Sequence, residues 1–119
     1  MVTLSDIQQF FRGHIAINEP MAKYTSMRVG GPADYYIEPA DKKDLIEIVL
    51  YFEKNAYPHM MLGRGSNVIV SDEGIRCAAL NIESSLSDVR LEGDLVIAEA
   101  GAHWSKFVDF CVQNSLAGV

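Results

Sequence analysis

Between residues 34 and 62 the hydrophobic period of the chain changes twice, and that change constrains the topology of everything around it. Tyr35, Tyr36 and Ile37 form a β-type run within residues 34–39. Asp41 then stands where a helix N-cap belongs, and Leu45, Ile46, Val49, Leu50 and Phe52 recur as a helical stripe. Asn55 offers a left-handed stop, and Pro58 keeps the helix from running on. Met60, Met61 and Leu62 read as the end of a second buried strand. Strand, helix and strand at this spacing make a βαβ crossover, so the two strands are expected to be parallel. The residues after Leu62 then lie at the carboxyl end of a strand, where open α/β sheets bind ligands.

Those residues are Gly63-Arg64-Gly65-Ser66-Asn67, ahead of a β-branched run, Val68-Ile69-Val70, that reads as the start of another strand. Gly63 and Gly65 remove two Cβ atoms and permit positive φ. Successive N–H groups in such a loop can converge on an anion, with the Ser66 hydroxyl, the Asn67 side chain and the Arg64 cation beside them. The match to established phosphate loops is partial. A Rossmann fingerprint needs a glycine where Val68 stands and a helix after it, and a P-loop needs a terminal Gly-Lys-Ser/Thr. Any phosphate here is therefore held by loop amides. A glycine-rich connection with no ligand is the competing reading, and the loop alone leaves both open.

The rest of the chain is shorter elements. Ser5-Asp6-Ile7-Gln8 has the form of a capping box with Leu4 as staple, Ile7, Phe10 and Phe11 share a helical face, and Gly13 ends it. Residues 18–33 have no clean period and are punctuated by Pro20, Gly30, Gly31 and Pro32, which predicts a long loop packed along a surface or a ligand. Asp72-Glu73-Gly74 is a turn and residues 76–82 a strand. Residues 89–92 and 95–100 form a hairpin about Gly93-Asp94, closed by Gly101. Trp104, Phe107, Val108, Cys111 and Val112 make a final helical face, with Gly118 placed as its cap. The βαβ unit, the hairpin and this helix are expected to share one core.

Composition narrows the partners. At 119 residues and 49% hydrophobic the chain can bury a core as one small domain or part of a larger one. A net charge of −6 with no basic cluster argues against nucleic acid or an anionic membrane surface. No apolar run is long enough to span a bilayer, and residues 1–12 lack the pattern of a signal peptide. Cys77 and Cys111 lack CxxC spacing and read as small core residues in a reducing compartment, so a cytoplasmic location is expected. His14, His59 and His103 share no ligand spacing and read as surface or packing residues, with no metal site expected. Ser66 has no neighbouring base in sequence, and Asp72 and Glu73 would point to opposite faces of a strand. Trp104 reads as core first and as a stacking platform second. No complete catalytic constellation is visible.

Three stretches nevertheless coincide in order: Tyr24-Thr25-Ser26-Met27-Arg28-Val29-Gly30-Gly31-Pro32-Ala33, then Leu62-Gly63-Arg64-Gly65-Ser66-Asn67-Val68-Ile69-Val70-Ser71-Asp72-Glu73-Gly74, then Ala98-Glu99-Ala100-Gly101-Ala102 ahead of a helix that ends Ser115-Leu116-Ala117-Gly118. Together they resemble the N-terminal part of the UDP-N-acetylenolpyruvoylglucosamine reductase (UDP-N-acetylmuramate dehydrogenase) family, from about residue 18 onward. The resemblance implies an α+β fold: an FAD-binding domain of the p-cresol methylhydroxylase type, with a βαβ first subdomain and part of an antiparallel second one. It divides the chain into an N-terminal helix, 1–17, and the N-terminal portion of that domain, 18–119. It implies FAD as cofactor and NADPH as hydride donor, in the reduction of UDP-N-acetylglucosamine enolpyruvate for peptidoglycan precursors. The loop matching residues 63–67 lies on the FAD pyrophosphate, and Thr25 and Gly101 lie nearer the cofactor's surroundings. The family's second glycine-rich stretch, its catalytic arginine, and the substrate domain with its serine and glutamate have no counterpart in the 119 residues. No catalytic residue is therefore carried over, the chain resembles a truncated piece expected to be inactive, and self-association through the truncated edge is expected. Alternatives are a flavin module of another oxidoreductase of the same fold type, or a non-enzymatic nucleotide-binding or interaction domain.

Overall fold

The computed structural model describes residues 1–65 and 68–118. Its centre is a four-stranded mixed sheet in the order β1-β2-β4-β3, with β1 His14–Pro20, β2 Pro32–Glu38, β3 His59–Leu62 and β4 Ile75–Asn81. β1 runs antiparallel to β2, with Ile15 opposite Ile37 and Ile17 opposite Tyr35. β4 is inserted between β2 and β3 and is parallel to both. The expected parallel βαβ unit is therefore present, with α2, Lys42–Lys54, as its crossover. A separate two-stranded antiparallel ribbon, β5 Val89–Glu92 with β6 Leu95–Ala98, precedes α3, Trp104–Gln113, so the α+β class and the hairpin are as read from the sequence.

β1 is the element that the sequence does not reveal. Residues 18–20, expected as the start of a long loop, belong to this edge strand, which also crosses the expected boundary between residues 17 and 18. Its ladder ends on Pro20, which an edge strand tolerates because that N–H is not needed by an inner neighbour. A single 3-10 turn, Met21–Tyr24, follows it.

Strand alternation sorts the core into two clusters on opposite sheet faces. On one face α2 lays Leu45, Ile48 and Phe52 over Ile37, Ala78, Leu80 and Ile82, and Ile7 and Phe11 close the rim. On the other, Met21 and Val70 cover Tyr36, Leu62 and Ala79. β4 is buried on both faces through Ala78, Ala79 and Leu80, as a central parallel strand must be. Each fully buried large side chain contributes about 1.5–3 kcal/mol relative to an exposed one. The single core expected for all elements is thus two clusters on the sheet, and α3 buries only Cys111.

Several local expectations shift. The stripe on α2 is Leu45, Ile48, Val49 and Phe52, spaced i, i+3, i+4, i+7, and Ile46 and Leu50 face solvent. α1, Leu4–Gln8, is capped by Thr3, whose Oγ1 accepts the Asp6 N–H at 3.2 Å, so Ser5 lies inside the helix. Asp41 caps α2 as expected, accepting the Asp44 N–H at 2.8 Å. Neither Asn55 nor Gly118 is the left-handed stop: Ala56 (φ 50°) and Ser115 (φ 56°) take that conformation. Tyr57 N–H bonds Phe52 O at 2.9 Å and Leu116 N–H bonds Cys111 O at 2.8 Å, so both helices end in a Schellman motif on an ordinary L-residue. Residues 68–70 form no strand; they cross the sheet as a strap whose Val70 is buried, because no neighbouring strand is there to pair with them.

The N-terminal segment is fixed by a fully buried carboxylate. Asp44 accepts N–H bonds from Arg12 (3.0 Å), Gly13 (2.9 Å) and Ala40 (2.9 Å). Among the described residues no helix is long and apolar enough to cross a membrane.

Candidate cofactor site

Leu62 is buried at the carboxyl end of β3, and the chain then turns through Gly63, Arg64 and Gly65. The two glycines do different work. Gly65 has φ +75°, and a Cβ on it would stand 1.9 Å from Tyr24 O and 3.0 Å from Thr25 Cα. Its carbonyl accepts the Ser26 N–H at 3.0 Å, so the loop is latched by backbone to the segment that leaves the 3-10 turn. Among the described residues Gly63 has nothing within 4 Å of where a Cβ would be. Its missing side chain leaves open space in a cleft of about 380 Å³ lined by Gly63, Arg64, Gly101, His103, Trp104 and neighbouring residues. Arg64 is exposed, makes no ion pair among the described residues, and also lines a second cleft of about 320 Å³ with Lys23, Thr25, Asn81 and Glu83. Ser66 and Asn67, the other two loop residues expected at the cofactor, lie outside the described residues.

Thr25 and Gly101 border these clefts, yet their own groups are committed elsewhere. The Thr25 hydroxyl donates to Val29 O at 2.9 Å and accepts the Val29 N–H at 3.2 Å, which closes the 25–29 turn. Gly101 is buried against the turn after β4, where a Cβ would meet Ile82 O at 2.1 Å and Leu86 O at 2.4 Å. Both residues therefore shape the walls of the clefts they border.

Beneath the loop runs a polar network that sequence spacing does not show. Asn81, the last residue of β4, donates through Nδ2 to the Tyr36 hydroxyl at 3.0 Å, and its Oδ1 accepts the Glu83 N–H at 2.9 Å. The Tyr36 hydroxyl donates to Glu38 at 2.8 Å. Glu83 in turn holds His103 Nε2, which joins the end of β4 to the start of α3. Spacing alone makes His103 a surface or packing histidine; its partner lies twenty residues away in the chain, beyond the reach of any local pattern. Tyr24 stacks on Tyr36 with centroids 3.8 Å apart and donates to Glu19 at 2.8 Å. Burial first, and the Glu19 carboxylate second, push the Tyr24 phenol up to about 12, so it stays a donor at neutral pH. The same hydrogen bond, aided by Lys23, holds Glu19 below the usual carboxylate range. Burial likewise raises Tyr36.

An unobstructed glycine, a left-handed glycine and an exposed cation at the carboxyl end of a parallel strand suit a phosphate-bearing ligand held mainly by backbone. Residues 33–119 match the family model described as FAD binding domain, and the chain belongs to that family. Along its full length the chain is 36% identical to the UDP-N-acetylenolpyruvoylglucosamine reductase of Chloroherpeton thalassium, covering 38% of that protein. It is 39% identical over 106 residues to the protein of the same name from Caldanaerobacter subterraneus subsp. tengcongensis, an alignment covering 89% of this chain and 35% of that one. The crystal structure of UDP-N-acetylenolpyruvylglucosamine reductase from Thermus caldophilus superposes with a TM-score of 0.58 at 23% identity, over 92% of this chain and 36% of that chain, and so shares its fold. The resemblance carried by the three motifs thus extends along the sequence, while the chain spans 38% and 35% of the lengths of these two curated relatives.

Proposed function

We propose that the chain is the FAD-binding portion of a UDP-N-acetylmuramate dehydrogenase, with residues 18–119 forming the N-terminal part of the cofactor domain. In this reading the parent enzyme uses NADPH to reduce UDP-N-acetylglucosamine enolpyruvate to UDP-N-acetylmuramate. FAD, when bound, supplies the hydride-transfer chemistry. The task of this chain is to grip and orient the cofactor: the amides of residues 63–67 face its pyrophosphate, Arg64 adds positive charge at the rim, and Thr25 and Gly101 shape the flanking walls. The observation that carries the reading is the contrast within the loop. Gly65 is spent on locking the loop to residues 24–26, and Gly63 is left bare toward the cleft.

That contrast also selects the experiment. Gly65→Val would drive a side chain into Tyr24 O, so the substitution would disturb the loop itself and say little about ligand approach. At Gly63 an added Cβ meets nothing within 4 Å among the described residues, so Gly63→Val is expected to fill cleft space and spare the fold. We expect it to leave the thermal midpoint unchanged and to weaken FAD binding at least about tenfold, which corresponds to about 1.4 kcal/mol. Flavin fluorescence titration of the wild-type and variant chains measures this, and equal affinities would remove the loop from the cofactor site. A preparation that binds no FAD at all would favour the non-enzymatic interaction reading.

A further inference from the structure

Trp104, the chain's only tryptophan, is 68% exposed at the first position of α3. It belongs to neither apolar cluster, so its place in a core, expected from helical spacing, is not where the fold puts it. A tryptophan left in water forgoes the large burial that normally justifies an indole. It faces the cleft it shares with Gly63, Arg64 and Gly101. At about 380 Å³ that cleft lies within the roughly 300–1,000 Å³ range of small-molecule sites.

The indole is held in place from behind. Phe107, one turn along α3, supports one side of it, with ring centroids 5.3 Å apart and planes inclined at 33°. Two residues before it in the cleft wall are pinned as well: Gly101 sits against Ile82 and Leu86, and His103 is held by Glu83. A ring backed by Phe107 and carried on a tied helix start loses less freedom when a ligand covers it than one on a free loop, which favours binding. Any dinucleotide whose pyrophosphate lies at Gly63 carries a planar heteroaromatic ring on each side of that pyrophosphate. We propose that Trp104 is the stacking platform for one of these rings, adenine or isoalloxazine. This assignment rests on the FAD reading above and adds to it a residue that grips a ring where the loop grips phosphate.

The test uses the 119-residue chain labelled with nitrogen-15, in which one indole N–H resonance reports on Trp104 alone. Titration with FAD is expected to move that resonance upfield and saturably, through the ring current of the stacked base. Trp104→Ala is expected to weaken FAD binding about tenfold, and Trp104→Phe by no more than about threefold, in keeping with the contribution of aromatic stacking to nucleotide binding. Thermal midpoints should stay unchanged, since the side chain is exposed. Parallel titrations with ADP and with FMN assign the ring: the one that reproduces the indole shift carries the stacked group. If wild-type and Trp104→Ala chains bind FAD equally and the indole resonance does not move, the platform is refuted while the FAD reading stands. If the wild-type chain binds none of the three at millimolar concentration, both are refuted.

Discussion

The sheet β1–β4 and the unit formed by β5, β6 and α3 use apolar residues in opposite ways. The sheet is packed on both faces, and the large side chains at its core, such as Tyr36 of β2 and Ile48 and Phe52 of α2, are almost wholly removed from water. In the second unit Leu91, Leu95, Trp104 and Val112 remain exposed. The two are tied mainly by polar contacts: Lys42 to Glu99 at 2.8 Å, and Glu83 to His103. The glycine loop and the clefts around it lie along this junction. One wall of the site is therefore backed by a dense core, and the other stands on a helix whose outward face is still available for contact. Such a division suits a binding module, since the phosphate grip must be rigid while the surface beyond it can adapt.

Deleting apolar bulk should have very different effects in the two regions. Phe52→Ala should cost about 3–5 kcal/mol, because it opens a cavity in a closed core. Val112→Ala, on the exposed face of α3, should stay within about 0.5 kcal/mol. Urea unfolding of the two variants reads both values, and comparable losses would mean that α3 is covered in solution.

Acid should act next on two ion pairs, Arg12–Asp41 within the sheet unit and Lys42–Glu99 across the junction. Asp41 is held below the usual carboxylate range by the Arg12 side chain, then by the Asp44 N–H, and Glu99 by Lys42, then by the Asp88 N–H. A folded-state pKa below the unfolded one contributes stability that is present above the unfolded value, about 4. It is lost as pH falls through the folded value. The thermal midpoint should therefore decline below about pH 4 and do so less steeply in a Lys42→Ala, Arg12→Ala variant; identical slopes would remove these pairs from the acid response.

The smallest effect compares the two helix ends. Ala56→Gly and Ser115→Gly each relieve a left-handed L-residue, so each should raise stability by up to about 1 kcal/mol. Calorimetry that finds a gain at Ala56 and none at Ser115 would show that the end of α3 is already frayed.

Much of the sheet is legible in the sequence because its signals are local. The Asp41 cap, the change of period between residues 34 and 62 and the Gly93-Asp94 hairpin each lie within a few residues of the structure they specify. β1 is hidden because its apolar run, Ile15-Ala16-Ile17, is short and gives way to Asn18-Glu19-Pro20, so the strand is defined by its pairing with β2 and not by its own pattern. Residues 68–70 mislead for the converse reason: β-branched side chains favour an extended backbone, but no neighbour supplies a ladder. At the site, Gly63 and Gly65 can be named from sequence but not told apart, since their difference lies in Tyr24 and Ser26, some forty residues earlier. The Tyr36–Asn81–Glu83–His103 network joins three elements and leaves no trace in spacing. Trp104 shows its helical period but not which way the helix will face.

The Asp44 carboxylate has a consequence for anyone who trims this chain. Three donors from residues 12, 13 and 40 converge on it, and two of those three come from the segment that leads out of α1. Cutting the chain at residue 13 to obtain a neater sheet would strip two of its three N–H donors and open the carboxylate to water, and it would take Ile7 and Phe11 out of the core with them. Water then replaces bonds that had fixed the N-terminal segment to the start of α2. The first thirteen residues are thus the lid on that anion, and a purification handle belongs ahead of Thr3, never in place of residues 3–13.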